Sequence, residues 1–406
     1  MAKKSPIADD GIQGLDWVKD DIKTREKGGW GGAWRGPLSS LRHLSKVILP
    51  IVAFILLYML YQAKRPCAWE HPYQSRGSWL KGSLNTHTRH HGAKMIFSLY
   101  EKMGYDFVVA TEWAPYREQT DSFTKELDFL AIPGLETGLG TRHLLILGTD
   151  DGDMELENEQ DLQDLSTGDF VEGGPEHGYG FDDRILSPPQ EVDPKKHLSR
   201  IISDAKRNDY FVIAAHPLYY PEHFSLGELD ALEGLDAIEI YNALAERVLS
   251  LQERKGGRES IEGQSHLALN VWDSLLSAGR KIWGVAGDDF LDLLLRTPGD
   301  AWVMVQTDEF TTRSILSSLK GGRFYSSTGV FFNRIEAKGK NILVEIDREG
   351  EIRFVGKNGT VLQERKGISS TYTYQGNESY VRVEVEGTDG TYAWSQPFYS
   401  KREGGD

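Results

Sequence analysis

Several residues that could bind a metal ion lie close together in the segment 82–92, which reads GSLNTHTRHHG. His87 follows Asn85 by two residues, and His90 and His91 come shortly after it. Imidazole nitrogens at the end of a strand are common ligands of a divalent metal ion. The alternative is an exposed loop that holds several of the chain's eleven histidines. This segment alone leaves both interpretations open.

Further polar residues follow apolar, strand-like runs elsewhere in the chain. They are Glu112, Glu136, His216, Asn242 and Asp289. When parallel strands are buried in a βα barrel, polar side chains at their carboxyl ends converge on one site. The repeated pattern therefore predicts a metal site at the carboxyl ends of such strands.

The order of these segments resembles the PHP family (polymerase and histidinol phosphatase domains) over residues 81–329. Members of that family are metal-dependent phosphoesterases on a distorted (β/α)7 barrel. The segment Leu319–Gly329 is similar to the one that closes the domain in many relatives. The resemblance implies the same barrel here, as an α/β fold.

The resemblance also implies a set of metal ligands. Five positions keep a ligand-type residue: His87, His91, Glu136, His216 and Asp289. Three positions have lost theirs, because the family pattern has histidine where this chain has Asn85, Trp113 and Leu291. Glu136 matches the family's bridging glutamate, and one further family histidine corresponds to either His143 or His177.

The losses predict a catalytically impaired domain. A catalytic metal ion needs about three protein ligands and an open position for water. The five remaining ligands predict no cofactor or one weakly bound divalent ion, rather than the metal cluster used by the family for hydrolysis. No catalytic residue is assigned, and an enzyme is not expected.

The elements around this site begin with an apolar run of fifteen residues, 47–61. A membrane span needs about 20 residues, and flanking residues extend the run, so we predict one transmembrane helix over 47–63. The alternative is a buried core helix. A cleaved signal peptide is disfavoured by the 46 residues that precede the run.

Residues 1–46 form a basic tail that contains nine Lys or Arg residues and a Gly/Trp stretch. Its composition is typical of a disordered tail, and a partner that orders it would use Trp30 and Trp34 as anchors. Lys and Arg counts close to the span are equal on its two sides. The short basic tail favours a cytoplasmic N-terminus with the large domain in the periplasm, at a bacterial inner membrane.

Residues 150–193 contain fifteen acidic residues and one arginine, which accounts for nearly all of the chain's net charge of −15. We predict an acidic insertion in a barrel domain that spans 64–329, and calcium binding near Asp150–Glu155 is the alternative. No basic stripe is present, which argues against a nucleic-acid partner. Over 330–406, alternating strands with Asn-Gly and Asp-Gly turns predict a small antiparallel β module.

Two functional hypotheses follow. The first is a membrane-anchored, catalytically impaired PHP-like domain that serves as an accessory or structural subunit of a larger bacterial membrane complex, photosynthetic or respiratory. Its partners would be that complex and the lipid bilayer. The second is an exported metal-dependent phosphoesterase.

Overall fold

The computed structural model describes residues 46, 48–57, 69–73, 77–88, 91–112, 129–148, 193–218, 223–254, 264–290 and 298–401. Contacts divide the chain into two compact units, 1–65 and 66–406. Several predictions fall outside the described residues. They concern Trp30, Trp34, Trp113, His177, Leu291, the basic tail up to residue 45 and the acidic insertion up to residue 192.

In the first unit, residues 48–57 are helical. Their large apolar side chains are 46–70% exposed, so this helix has no buried face. Within the described part of the chain, no helix reaches the length and apolar character needed to cross a bilayer. The predicted span over 47–63 extends into residues 58–63, which are not described.

The second unit has sixteen strands and six helices among its described residues. The strands are β1 (Trp69–Glu70), β2 (Ser78–Thr86), β3 (Phe107–Glu112), β4 (Leu130–Leu139), β5 (Arg142–Leu147), β6 (Phe211–Ala214), β7 (Ala237–Asn242), β8 (Trp283–Gly287), β9 (Trp302–Thr307), β10 (Phe324–Ser327), β11 (Phe332–Lys338), β12 (Asn341–Val355), β13 (Val361–Thr373), β14 (Tyr380–Gly387), β15 (Tyr392–Ser395) and β16 (Phe398–Ser400). The helices are α1 (Ala93–Lys102), α2 (Pro194–Arg207), α3 (Leu226–Ala231), α4 (Ala243–Arg254), α5 (Gln264–Ser277) and α6 (Thr312–Lys320).

Local chemistry explains where two of these helices begin. The carboxylate of Asp193 accepts hydrogen bonds from the backbone N–H groups of Lys195 and Lys196, and Pro194 occupies the first turn of α2. Ser225 and Glu228 form a reciprocal capping box at the start of α3. These caps satisfy backbone donors that have no partner within the helix.

The strands form one curled sheet that combines parallel and antiparallel pairs. β2, β3 and β4 are parallel, as are β6, β7 and β8, and β5 joins the two groups through antiparallel pairs. The curl brings Phe290, which lies shortly after β8, next to the end of β2. There the backbone N–H of His87 donates to Phe290 O at 2.9 Å. The carboxyl ends of β2 and β8 therefore meet.

The connection between β4 and β5 differs from the predicted βα repeat, because the two strands form an antiparallel hairpin. Gly138 makes the close approach possible, since a Cβ atom there would lie 2.0 Å from Arg142 O. Gly140 adopts a φ of 61°, a left-handed conformation that favours glycine. The mixed α/β class agrees with the prediction, and the complete (β/α)7 barrel stays a prediction.

The C-terminal strands are antiparallel, as predicted, and they continue the same sheet through the β10–β15 pair. A buried ion pair also joins them to α5. Arg382 on β14 donates two hydrogen bonds to Asp273, at 2.9 and 2.7 Å, and both side chains are 3% exposed. The hydroxyl of Tyr380 donates to the same carboxylate at 3.1 Å.

Candidate metal centre

Five ligand-type side chains converge where the two groups of parallel strands face each other. Each comes from a different element or the residues that follow it. His87 follows β2, Glu136 lies in β4, His143 lies in β5, His216 follows β6 and Asp289 follows β8. Because β4 and β5 form a hairpin, Glu136 and His143 are brought together by strand pairing rather than at strand ends.

One group of three ligands is formed by Glu136, His143 and His216. Glu136 Oε1 lies 2.8 Å from His143 Nδ1 and 3.2 Å from His216 Nε2. The two imidazole nitrogens are themselves 3.2 Å apart. We call this group the His143 triad.

A second group is formed by His87, Glu136 and Asp289. Glu136 Oε2 lies 3.0 Å from His87 Nε2, and that nitrogen lies 3.7 Å from Asp289 Oδ1. We call this group the His87 triad. In each triad the ligand atoms lie within 4.8 Å of one another. Glu136 belongs to both triads, and each of its oxygens faces a different one.

The pKa values of Glu136, His87 and His216 depend on their neighbours in the site. Burial alone would raise the pKa of Glu136, but hydrogen bonds and charge from the neighbouring histidines hold it well below its usual range. Burial would lower the pKa of His87, yet Asp289 and Glu136 raise it to about 10. For the same reason, the pKa of His216 rises to about 9. Without a metal ion, His87 and His216 are therefore imidazolium groups at neutral pH and face the carboxylate of Glu136.

The donor set fits a divalent metal ion. Imidazole nitrogens and carboxylate oxygens suit Zn²⁺, Mn²⁺ and Fe²⁺, whereas Ca²⁺ favours oxygen ligands alone. Each triad offers three protein ligands, which is the number of protein ligands that catalytic zinc sites use. All five side chains are buried or half-buried, and four have at least one partner among the other ligands at hydrogen-bond distance.

Two polar residues of β7 lie beside the site: Glu239, which was not predicted from the sequence, and Asn242, which was predicted as the polar end of a strand. Glu239 is 2% exposed, and burial raises its pKa to about 7. Asn242 is 6% exposed and donates to both Glu239 and Asp289. A carboxylate inside the apolar run of β7 was the sequence signal for Glu239. A small cleft of about 20 Å³ opens beside this pair and His216, and Leu218 and Tyr241 also line it.

The structure brings together four of the five predicted ligands, His87, Glu136, His216 and Asp289. It also places His143 in direct contact with Glu136, while His177 lies outside the described residues. The fifth, His91, is in neither triad, and its ring lies 6.3 Å from that of Phe290.

Asn85, predicted as a lost ligand, is fully buried on β2. Its Oδ1 accepts a hydrogen bond from the hydroxyl of Thr111 at 2.7 Å. Its Nδ2 has no hydrogen-bond partner among the described residues. His87 follows Asn85 by two residues, just beyond the end of β2.

Comparison with known proteins gave distant structural likenesses. No family model and no curated protein matches the chain. A two-domain protein from Bacteroides vulgatus, containing a predicted PHP-like metal-dependent phosphoesterase, is 12% identical over 84% of this chain and 100% of that chain, with a TM-score of 0.37.

Two further solved structures are similar to shorter parts of the chain. A putative metal-dependent phosphoesterase from Bifidobacterium adolescentis is 15% identical, covering 53% of this chain and 89% of that chain, with a TM-score of 0.33. An amidohydrolase from Chromobacterium violaceum is 12% identical over 52% of this chain and 87% of that chain, with a TM-score of 0.30. At such TM-scores, the function must be argued from the residues of this chain.

Proposed function

We propose that this chain is a divalent-metal-dependent phosphoesterase of the PHP type. The observation that supports this most directly is the position of Glu136, whose two oxygens face different triads. A shared carboxylate is suited to hold two ions next to each other, and two-ion sites are common in enzymes that cleave phosphate esters. The sequence analysis, by contrast, predicts at most one weakly held ion.

The residues of the chain have distinct roles in this proposal. His143 and His216 would hold one ion, His87 and Asp289 the other, and Glu136 both. A bound ion would lower the pKa of a coordinated water and neutralise charge on a phosphoryl oxygen. The phosphate ester itself would enter where the two triads meet.

The test combines metal content with hydrolysis. After dialysis against Mn²⁺ or Zn²⁺, we expect up to two ions per chain and slow cleavage of a chromogenic phosphodiester. Glu136→Gln should abolish cleavage and reduce metal content, because it removes the charge common to both triads. Glu233→Gln, an exposed control, should change neither. Absence of bound metal, or cleavage that survives Glu136→Gln, would refute the proposal.

A second candidate function is favoured by a separate observation, the exposed apolar helix at residues 48–57. A helix that is apolar all round is normally buried in a membrane or by a partner. Together with the lost ligands at Asn85, Trp113 and Leu291, this supports an impaired domain held as a subunit of a bacterial inner-membrane complex. The N-terminus would be cytoplasmic and the large domain periplasmic.

Gentle-detergent extraction tests this second candidate. If the chain is such a subunit, it should elute with a larger complex, and changing Trp30 and Trp34 to Ala should release it. Changing Glu136 to Gln should not release it. A free monomer in every fraction would leave the phosphoesterase as the better account.

A further inference from the structure

Two polar residues at the end of β7, Glu239 and Asn242, connect the two triads. Glu239 Oε2 accepts a hydrogen bond from the backbone N–H of His216 at 2.6 Å. The same oxygen accepts one from Asn242 Nδ2 at 3.0 Å. Asn242 Nδ2 also lies 3.0 Å from Asp289 Oδ2. One continuous set of hydrogen bonds therefore runs from a ligand of the His143 triad to a ligand of the His87 triad.

The orientation of the Asn242 amide is set by a third contact. Its Oδ1 accepts the backbone N–H of Ala245 at 2.8 Å, in the first turn of α4. Because the oxygen faces that donor, the nitrogen must face the two carboxylates. Asn242 therefore fixes the positions of the Glu239 and Asp289 carboxylates relative to each other.

The backbone at the two connected ligands is unusual. His216 has a φ of 29° and Asp289 a φ of 49°, both in the left-handed region that residues other than glycine rarely adopt. Such conformations persist when their surroundings hold them in place, and they concentrate at functional sites. Here the two residues are contacted by Glu239 and Asn242, respectively.

A neighbouring glycine leaves space for the same carboxylate. A Cβ atom at Gly287 would lie 2.9 Å from Glu239 Oε1, so a larger residue there would displace Glu239. Glu239 is therefore enclosed between β7, the backbone after β6 and the end of β8. A buried carboxylate in such a position has few alternative conformations.

We infer that Glu239 and Asn242 are positioning residues that hold a ligand of each triad in its binding conformation and so couple the two metal sites. The inference rests on the proposed function, because it assumes that both triads bind ions. If the inference is correct, removing Glu239 or Asn242 weakens metal binding at both triads. Removing a ligand that belongs to one triad weakens metal binding mainly at that triad. Groups that orient metal ligands typically contribute 10–100-fold to affinity.

The experiment is a Co²⁺ titration of the full chain, followed by visible absorption and by equilibrium dialysis. Wild type should bind two ions. Glu239→Ala and Asn242→Ala should each weaken both binding steps by about 10–100-fold and alter the d–d spectrum of both ions. His143→Ala should remove one ion and leave a second, with its spectrum largely unchanged.

Glu239→Gln separates positioning from direct ligation. A glutamine keeps an acceptor oxygen for the His216 N–H and for Asn242, so it should restore binding to within about threefold of wild type, since the central contacts are retained. If Glu239 bound the metal through its charge, glutamine would behave like alanine and the inference would be wrong. Glu233→Gln, exposed in the turn before β7, is the matched control.

The outcomes distinguish the inference from the proposal on which it rests. Wild type that binds no Co²⁺ would overturn both. Wild type that binds two ions, with Glu239→Ala binding them equally tightly and with the same spectrum, would overturn the inference alone. Thermal unfolding of each metal-free variant shows whether a loss of metal binding reflects a loss of fold. If Glu239→Ala does not fold, the binding of metal by Glu239→Gln decides whether the inference holds.

Discussion

Glu136 faces imidazole groups on two sides, and position 85, two residues before His87, holds an amide where the family pattern has an imidazole. Asn85 is fully buried in β2. The amide oxygen of Asn85 is occupied by the Thr111 hydroxyl, so it is not directed to an ion. The His87 triad contains one imidazole, whereas the His143 triad contains two.

We predict that Asn85→His tightens metal binding at the His87 triad. An added ligand that contributes only about 1.4 kcal/mol would increase affinity about tenfold. Isothermal titration with Zn²⁺ measures the change, and Asn85→Ala, which offers no donor, should show no gain. Equal affinities for the histidine and alanine variants would mean that position 85 does not face the ion.

Protons compete with the metal ion at the same residues. The raised pKa values, about 10 for His87 and about 9 for His216, mean that both imidazoles are charged at pH 7 in the metal-free protein. A metal ion binds only the neutral imidazole. Binding at pH 7 should therefore release about two protons, and affinity should increase as the pH rises towards 9.

Calorimetric titrations in buffers with different ionisation enthalpies count the released protons. The raised pKa values of His87 and His216 also predict how the stability of the metal-free protein depends on pH. Both folded-state pKa values exceed the unfolded value near 6.5. That contribution to the free energy of unfolding is complete below pH 6.5 and is lost as the pH rises through about 9 to 10. A heat of metal binding that is the same in every buffer would contradict the predicted release of protons.

At the scale of elements, the residues that directly follow apolar strands were predictable from the sequence. His216 and Asp289 are examples, because parallel strands buried on both faces appear as continuous apolar runs. The partnership of Glu136 with His143 was not predictable in the same way. It depends on the tight hairpin at Gly138 and Gly140, where the chain turns back instead of entering a helix.

Glu239 was missed for a related physical reason. A single carboxylate inside an apolar strand is read as part of that strand, and its partners are the backbone N–H of His216, which follows β6, and the Asn242 amide. Asn242 was noted as the polar end of a strand, yet its role depends on which carboxylates its amide contacts. Networks of this kind are defined by side-chain contacts rather than by periodicity.

The buried ion pair between α5 and β14 gives a prediction about stability at this scale. Asp273→Ala would leave the Arg382 guanidinium buried without its main partner, which costs about 3–5 kcal/mol. Replacing both residues together, by Leu and Met, should recover most of that loss. Denaturant unfolding monitored by fluorescence measures the free energy.

The matched control is an exposed ion pair in the same unit. Lys281 and Glu70 are 3.0 Å apart, with side chains about 60% exposed. Because solvent screens such pairs, Glu70→Ala should cost less than about 1 kcal/mol. If Asp273→Ala lowers the free energy of unfolding no more than Glu70→Ala does, the buried ion pair does not stabilise the contact between α5 and the C-terminal strands.

At the scale of the whole molecule, contacts divide the chain into two compact units. The unit 66–406 contains the curled sheet, the metal centre and the C-terminal strands. The described helix of the other unit exposes its apolar side chains, among them Leu49, Phe54 and Leu57. We therefore expect the unit 66–406 to bind metal ions and the other unit to attach the chain to lipid.

We predict that residues 66–406, produced alone, fold and bind metal as the full chain does, while only the full chain associates with lipid. The full chain, reconstituted from detergent with vesicles of phosphatidylcholine and phosphatidylglycerol, should float with them in a density gradient. Changing Leu49, Phe54 and Leu57 together to Gln should abolish flotation. Each such side chain contributes about 1.5 kcal/mol or more when buried, so the three changes reduce partition about a thousandfold. Equal flotation of the full chain and residues 66–406 would show that the apolar helix does not mediate attachment, and a shorter chain that fails to fold would show that the two units depend on each other.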